Sequence, residues 1–122
     1  MDNRDIATTF LQMCSRGQVR EAYERYVSHD FVHHNAWFPG DRQSLMDAME
    51  QSAAAEPNKS FAVKQVVEGG DRIAVLSHLV RAKAGAEYAV VHIARIADGK
   101  IVELWDLAQG IPENSPNTLG MF

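Results

Sequence analysis

The chain has one cysteine, Cys14, among 122 residues, so no internal disulfide can staple it. Cys14 falls on the apolar stripe of a helical pattern and reads as core packing rather than as a nucleophile. No apolar run approaches the ~18 residues that cross a bilayer. The opening Met1-Asp2-Asn3-Arg4-Asp5 is charged and lacks the apolar core of a secretory signal, so a cytoplasmic location is expected. Basic residues do not cluster, and 12 Lys and Arg against 16 Asp and Glu leave a net charge of −4. Neither nucleic acid nor a membrane is therefore expected as a partner. Phosphate-loop and dinucleotide fingerprints are missing, as is the elbow motif of a serine triad. No repeat or linker interrupts the sequence, and its length suits a single domain, 1–122, whose core needs no staples.

What the chain does have is concentrated in its last third. Two strand-like runs between residues 86 and 109 flank Asp98-Gly99, a strong hairpin signal. His92 sits midway along the first run and Asp106 deep in the second. Ionisable groups on apolar strands are costly unless they are paired or used, so a polar-floored cavity is expected.

Upstream, Ile6, Phe10 and Met13 recur at helical spacing, with Ala7, Leu11 and Cys14 beside them, and predict a helix ending near Gly17. Val19, Ala22, Tyr23, Tyr26 and Val27 predict a second over roughly 18–27. His29 then reads as a helix C-terminal cap. Ser28 to Gly40 reads as irregular, yet its aromatics suggest a segment packed over something. Asp41 can cap a third helix to about Ala55, with Leu45, Met46 and Met49 on its buried side. From Phe61 the period changes to two, giving four strands joined by turns at Gly69-Gly70-Asp71, Gly85 and Asp98-Gly99. Three helices followed by an antiparallel meander make an α+β domain, whose twisted sheet can curl over the helices and enclose a cavity.

Strand alternation assigns faces. Ala74, Leu76, His78 and Val80 share one side of their strand, and Tyr88, Val90, His92 and Ala94 share one side of the next. On the last strand Val102, Leu104, Asp106 and Ala108 lie opposite Ile101, Glu103, Trp105, Leu107 and Gln109. If the three faces coincide, His78, His92 and Asp106 line one mostly apolar pocket. Register decides this, because a one-residue slip turns every side chain over.

Tyr26-Val27-Ser28-His29-Asp30-Phe31-Val32-His33-His34-Asn35, Gly99-Lys100-Ile101-Val102-Glu103-Leu104-Trp105-Asp106, and the ending from Ile111-Pro112-Glu113 to Gly120-Met121-Phe122 resemble the SnoaL-like polyketide cyclase family, within the nuclear-transport-factor-2-like superfamily. The likeness extends over nearly the whole chain. It implies a cone-shaped, curved antiparallel sheet packed against three N-terminal helices. It also implies that Asp106 is the general acid/base of an intramolecular aldol ring closure that needs neither a metal nor an organic cofactor. This chain departs from the commoner pattern at Leu104, where relatives often carry His, and at His92, where they often carry Asp. The superfamily also holds isomerases, dehydratases, hydrolases and non-catalytic members, so the resemblance speaks to fold more than to reaction.

Aldol closure needs a base at the carbon beside a carbonyl and a donor for the developing oxyanion. Asp106 is expected as acid/base, with His78 and His92 as hydrogen-bonding catalytic partners; the competing reading is structural pairing of Asp106. His34 and Asn35 match the family segment and are expected at the ligand or in turn chemistry, while His33 is expected to point elsewhere. Trp37 and Phe38, ahead of Pro39-Gly40, read as an aromatic lid or as packing over the open end of the sheet, and Met49, Tyr88 and Leu104 complete the expected ligand contacts. His34, His78 and His92 could converge on zinc, but no compact ligand spacing supports it, and no metal is assigned. Trp105, with Leu107 and Ile101, suggests an apolar outer patch and a homodimer through the sheet face. The expected function is proton-transfer chemistry (aldol cyclisation, isomerisation or dehydration) on a small apolar or polyketide-like carbonyl compound. The alternatives are a non-catalytic binding module of the same shape and an interaction domain.

Overall fold

The computed structural model describes residues 1–82 and 85–122 and opens with two short helices. Helix α1, Asn3–Ser15, starts where the Asp2 side chain accepts from the Asp5 amide, and it buries Ile6, Phe10 and Met13 as its periodicity predicts. Helix α2, Val19–Tyr26, buries Val19, Ala22 and Tyr23. Strand β1 follows at once, over Val27–His34. Helix α3, Arg42–Ala55, is capped by Asp41, whose carboxylate accepts from the Ser44 amide. Strands β2, Ser60–Gly69, β3, Arg72–Arg81, β4, Ala86–Ala97, and β5, Lys100–Gly110, complete the described elements.

The strand order is β1-β5-β4-β3-β2. The meander β2 to β5 is antiparallel, as expected, but β1 runs parallel to β5 and makes the sheet mixed. Two readings of the sequence are corrected here. The segment after α2 is an edge strand rather than irregular, and His29 is an exposed strand residue, because the backbone is already extended at Val27. A parallel edge strand is held by a partner some seventy residues away in sequence, and a register shift after Val27 breaks the alternation of its buried residues, so local pattern gives little sign of it.

Register shifts interrupt the pairing of β1 with β5, β2 with β3, and β4 with β5. Extra residues of this kind bend a strand and increase its twist, which is how a sheet curls over a helical layer. One of them matters for the site. Ile96 pairs with Ile101 while Arg95 pairs with Glu103, so Val102 is the additional residue. Ile101 is thereby turned into the core, where it is fully buried, and not onto the outer face beside Trp105.

The core lies between the inner face of the sheet and the helices. Phe10, Tyr23 and Phe31 stack edge-to-face in sequence, at centroid separations of 5.3 and 6.1 Å. Ile73, Val75, Ala94, Ile101 and Leu104 supply the sheet side of the same cluster.

Candidate functional site

Cross-strand pairing fixes which side chains share the inner face. His92 is directly opposite Asp106, and Ala94 opposite Leu104. Val75 is opposite His92, which places Ile73, Val75 and Ser77 inside and His78 outside. His33 pairs with Leu104, so Phe31 and His33 face inward and His34 outward.

Asp106 is the centre of the inner polar group. Its Oδ1 lies 3.3 Å from Nε2 of His92, and its Oδ2 accepts from Nδ2 of Asn35 at 2.8 Å. Burial pushes the Asp106 carboxyl upward, but His92, by hydrogen bond and charge, together with Asn35 and the nearby His33, outweighs burial, and the net pKa is lowered. Asp106 is therefore an ionised carboxylate at neutral pH. Asn35 is locked at both ends: its Oδ1 accepts from the Trp37 amide at 3.0 Å while its Nδ2 reaches Asp106. Its main-chain amide donates to Nδ1 of His33 at 3.1 Å. That bond places the His33 ring proton on Nε2, which donates to the Pro39 carbonyl at 2.6 Å. His33 is thus the buried strut of the loop that presents Asn35, with its own amide donating to the Gly40 carbonyl.

A half-open cavity of about 130 Å³ abuts this group, lined by Leu11, Cys14, Met49, Phe61, Leu79 and His92, with Ser15, Ser52 and Lys59. His92 reaches the cavity; Asp106 is not among its lining residues and stands behind the imidazole. Nδ1 of His92, the ring nitrogen turned away from Asp106, is buried with no hydrogen-bond partner among the described residues. Buried polar atoms are nearly always satisfied, so an unpartnered nitrogen on a cavity-lining imidazole marks His92 as the group a ligand would meet. Cys14 lines the same space with its thiol pKa pushed up by burial, which makes it an apolar wall rather than a nucleophile. Tyr23, whose hydroxyl donates to the Met49 sulfur at 3.1 Å, is also held in its neutral form by burial.

The expected site residues divide accordingly. Asp106, His92 and Asn35 come together, Met49 lines the cavity, and Leu104 is core beneath it. Tyr88 shares the inner face but sits opposite Leu79 and Gly110, hydrogen-bonded to Arg81. His78 is corrected: it is on the outer face, where Nε2 meets Glu87 at 2.7 Å and the ring lies tilted against Phe122. His34 is corrected too, lying outside against Trp105 at 5.0 Å with Nε2 on Glu103 at 2.7 Å. The possible zinc set therefore does not converge, since His92 is separated from both by the sheet. Trp37 is 86% exposed and Phe38 is also exposed, and neither lines the cavity. Lys59, Ser52 and His33 were not anticipated. Reading residues 27–34 as an alternating strand would have turned His33 inward with Phe31 and His34 outward.

The SnoaL-like domain family matches residues 7–104, most of the chain, ending two residues before Asp106. The chain belongs to the SnoaL-like family. IdmH, a candidate polyketide cyclase from Streptomyces antibioticus, shares this fold at 20% identity over 89% of this chain and 93% of its own, with a TM-score of 0.73. An NTF2-like protein of unknown function from Cytophaga hutchinsonii superimposes with a TM-score of 0.72 at 15% identity, covering 89% of this chain and 91% of that one. A cystatin-fold protein from Novosphingobium aromaticivorans gives 0.73 at 16% identity, covering 88% and 98%. A search of curated protein sequences finds no match. At these identities the solved structures speak to the fold alone.

Proposed function

We propose that this SnoaL-like protein catalyses cofactor-independent proton transfer on a small carbonyl compound, with His92 as the group that meets the ligand and Asp106 as the carboxylate that orients it. The observation that carries this reading is the chain of contacts from Asn35 to Asp106 to His92, an imidazole that lines an apolar cavity and has one unpartnered ring nitrogen. A base of this kind removes a proton from the carbon next to a carbonyl; the ionised carboxylate then stabilises the imidazolium that forms, and the proton is returned at a new position. Proton return to a different carbon is isomerisation. Attack of the enolate on a second carbonyl of the same molecule, with the proton delivered to the new alkoxide, is aldol cyclisation. The role first expected of Asp106, direct acid/base work, sits less well with a depressed pKa and a position behind His92.

The second reading is a small-molecule-binding module of the same shape, in which the ionised Asp106 holds Asn35 and His92 in place to anchor a ligand. Deuterium exchange separates the two. The wild-type protein in D2O, incubated with a panel of small ketones and β-keto esters, is expected to accelerate loss of the C–H signal beside the carbonyl, measured by proton NMR. His92→Gln and Asp106→Asn are each expected to slow that exchange by about 100-fold or more, with the folded spectrum retained. Ligand line broadening without exchange in the wild type would establish the binding module instead. We further infer that the protein self-associates through the outer sheet face, where Leu107 and Val67 are exposed and Leu76, Val91 and Met121 border a shallow groove.

A further inference from the structure

Two polar groups line the cavity. His92 is one and the hydrogen-bonded pair of Lys59 and Ser52 is the other, with Leu11, Met49, Phe61 and Leu79 among the apolar residues that line the space with them. Lys59 also lines the separate surface groove formed by Ala55, Glu56, Pro57, Asn58 and Ala82, so its side chain stands at the boundary between the cavity and the exterior. Its ammonium donates to the Ser52 hydroxyl, a neutral partner. Glu56, the carboxylate whose charge acts on Lys59, is gripped through both oxygens by the Arg81 guanidinium. We propose that Lys59 and Ser52 form an anion-receiving subsite at the cavity mouth, and that the natural ligand pairs a compact apolar body with a carboxylate.

Two observations converge on that ligand. A cavity of about 130 Å³ is close to the about 150 Å³ that accommodates a single benzene ring in an apolar protein interior. The body it admits is therefore one ring or a short branched chain, with any larger part outside. A cation bordering such a space, bonded to a hydroxyl, is under-compensated: burial pushes the Lys59 pKa down, Glu56 draws it back up, and Arg81 lowers it. A carboxylate arriving there would accept from the ammonium and from the Ser52 hydroxyl together, charge-assisted bonds of the stronger kind. The inference deepens the proposed function, on which it rests for the assignment of this cavity as the ligand site.

The test uses benzoate, phenylacetate and 3-phenylpropionate against their primary amides, which match them in shape and lack the charge. Dissociation constants are measured by ligand-observed NMR titration of the full chain. The wild type is expected to prefer at least one acid over its amide by tenfold or more. Lys59→Met is expected to abolish that preference by weakening the acids far more than the amides, and Lys59→Arg to retain most of it. Equal binding of acids and amides by the wild type overturns the subsite, as does a preference that survives Lys59→Met. Failure of every probe to bind overturns it as well, because the cavity then admits no ring. The proposed function fails separately: His92→Gln that leaves deuterium exchange intact removes the proton-transfer role without touching the acid preference.

Discussion

At the scale of single residues, this protein is organised by the opposed environments of its histidines. His33 is a buried strut with both ring nitrogens engaged, His34 and His78 are outer-face partners of glutamates, and only His92 pairs with the inner carboxylate. Asp106 links that pair to the Asn35 loop, and its lowered pKa has a consequence for stability. A carboxyl whose folded pKa lies below its unfolded value, about 3.9 for aspartate, stabilises the fold fully above the unfolded value, and the contribution disappears as pH falls through the folded one. Thermal stability is therefore expected to hold from neutrality down to about pH 4 and to fall on further acidification. Asp41 and Glu103 are lowered as well and add to that slope. Asp106→Asn should flatten the acid limb in melts followed by circular dichroism; an unchanged limb would show that the Asp106 contacts do not persist in solution.

At the scale of elements, the β4–β5 hairpin is what sets His92 against Asp106. Its two-residue turn, Asp98-Gly99, has positive φ at both positions, 52° and 75°, and joins the Ala97–Lys100 pair. That backbone twist matches flanking strands, which is why Asp-Gly is favoured there. A Cβ at Gly99 would meet nothing within 4 Å, so Gly99→Ala costs backbone strain alone. The expected loss is about 1–2 kcal/mol in urea unfolding, with no change in the ligand affinities. A loss near zero would mean that the turn adopts another geometry. The bulge at Val102 does the second part of the work, since it turns Ile101 inward while preserving the Leu104–Asp106 alternation.

At the scale of the whole molecule, the two faces of the sheet do different things. The inner face carries core and site. The outer face carries a polar network, with Glu103 bonded to His34 and Arg95 and with Trp105 close to both His34 and the Arg72 guanidinium. Beyond it lies the apolar groove that Leu107 borders. Leu107 is 62% exposed, so Leu107→Glu should leave the fold intact. If self-association uses this face, that change should halve the mass measured by light scattering after gel filtration. A wild-type protein of monomer mass would remove the proposal.

The three helices, the four strands of the meander, the Asp41 cap, the Asp-Gly hairpin and the alternation that unites His92 with Ala94 and Asp106 with Leu104 were all determined by the sequence alone. Each rests on contacts a few residues apart, where propensity, capping and pleat leave one solution. Tertiary structure decided the rest. The turn from β2 to β3 and the pairing of β3 with β4 put His78 outside, an outcome that alternation within one strand cannot contain because register is a relation between strands. The parallel docking of β1 on β5 turned His33 inward and His34 outward and brought Asn35 to Asp106 across a sequence separation of 71. Lys59 and Ser52 came to line the same cavity as His92 only when α3 and β2 closed over it. Contacts of that range are settled by the burial of the common core, which no local segment can bury by itself.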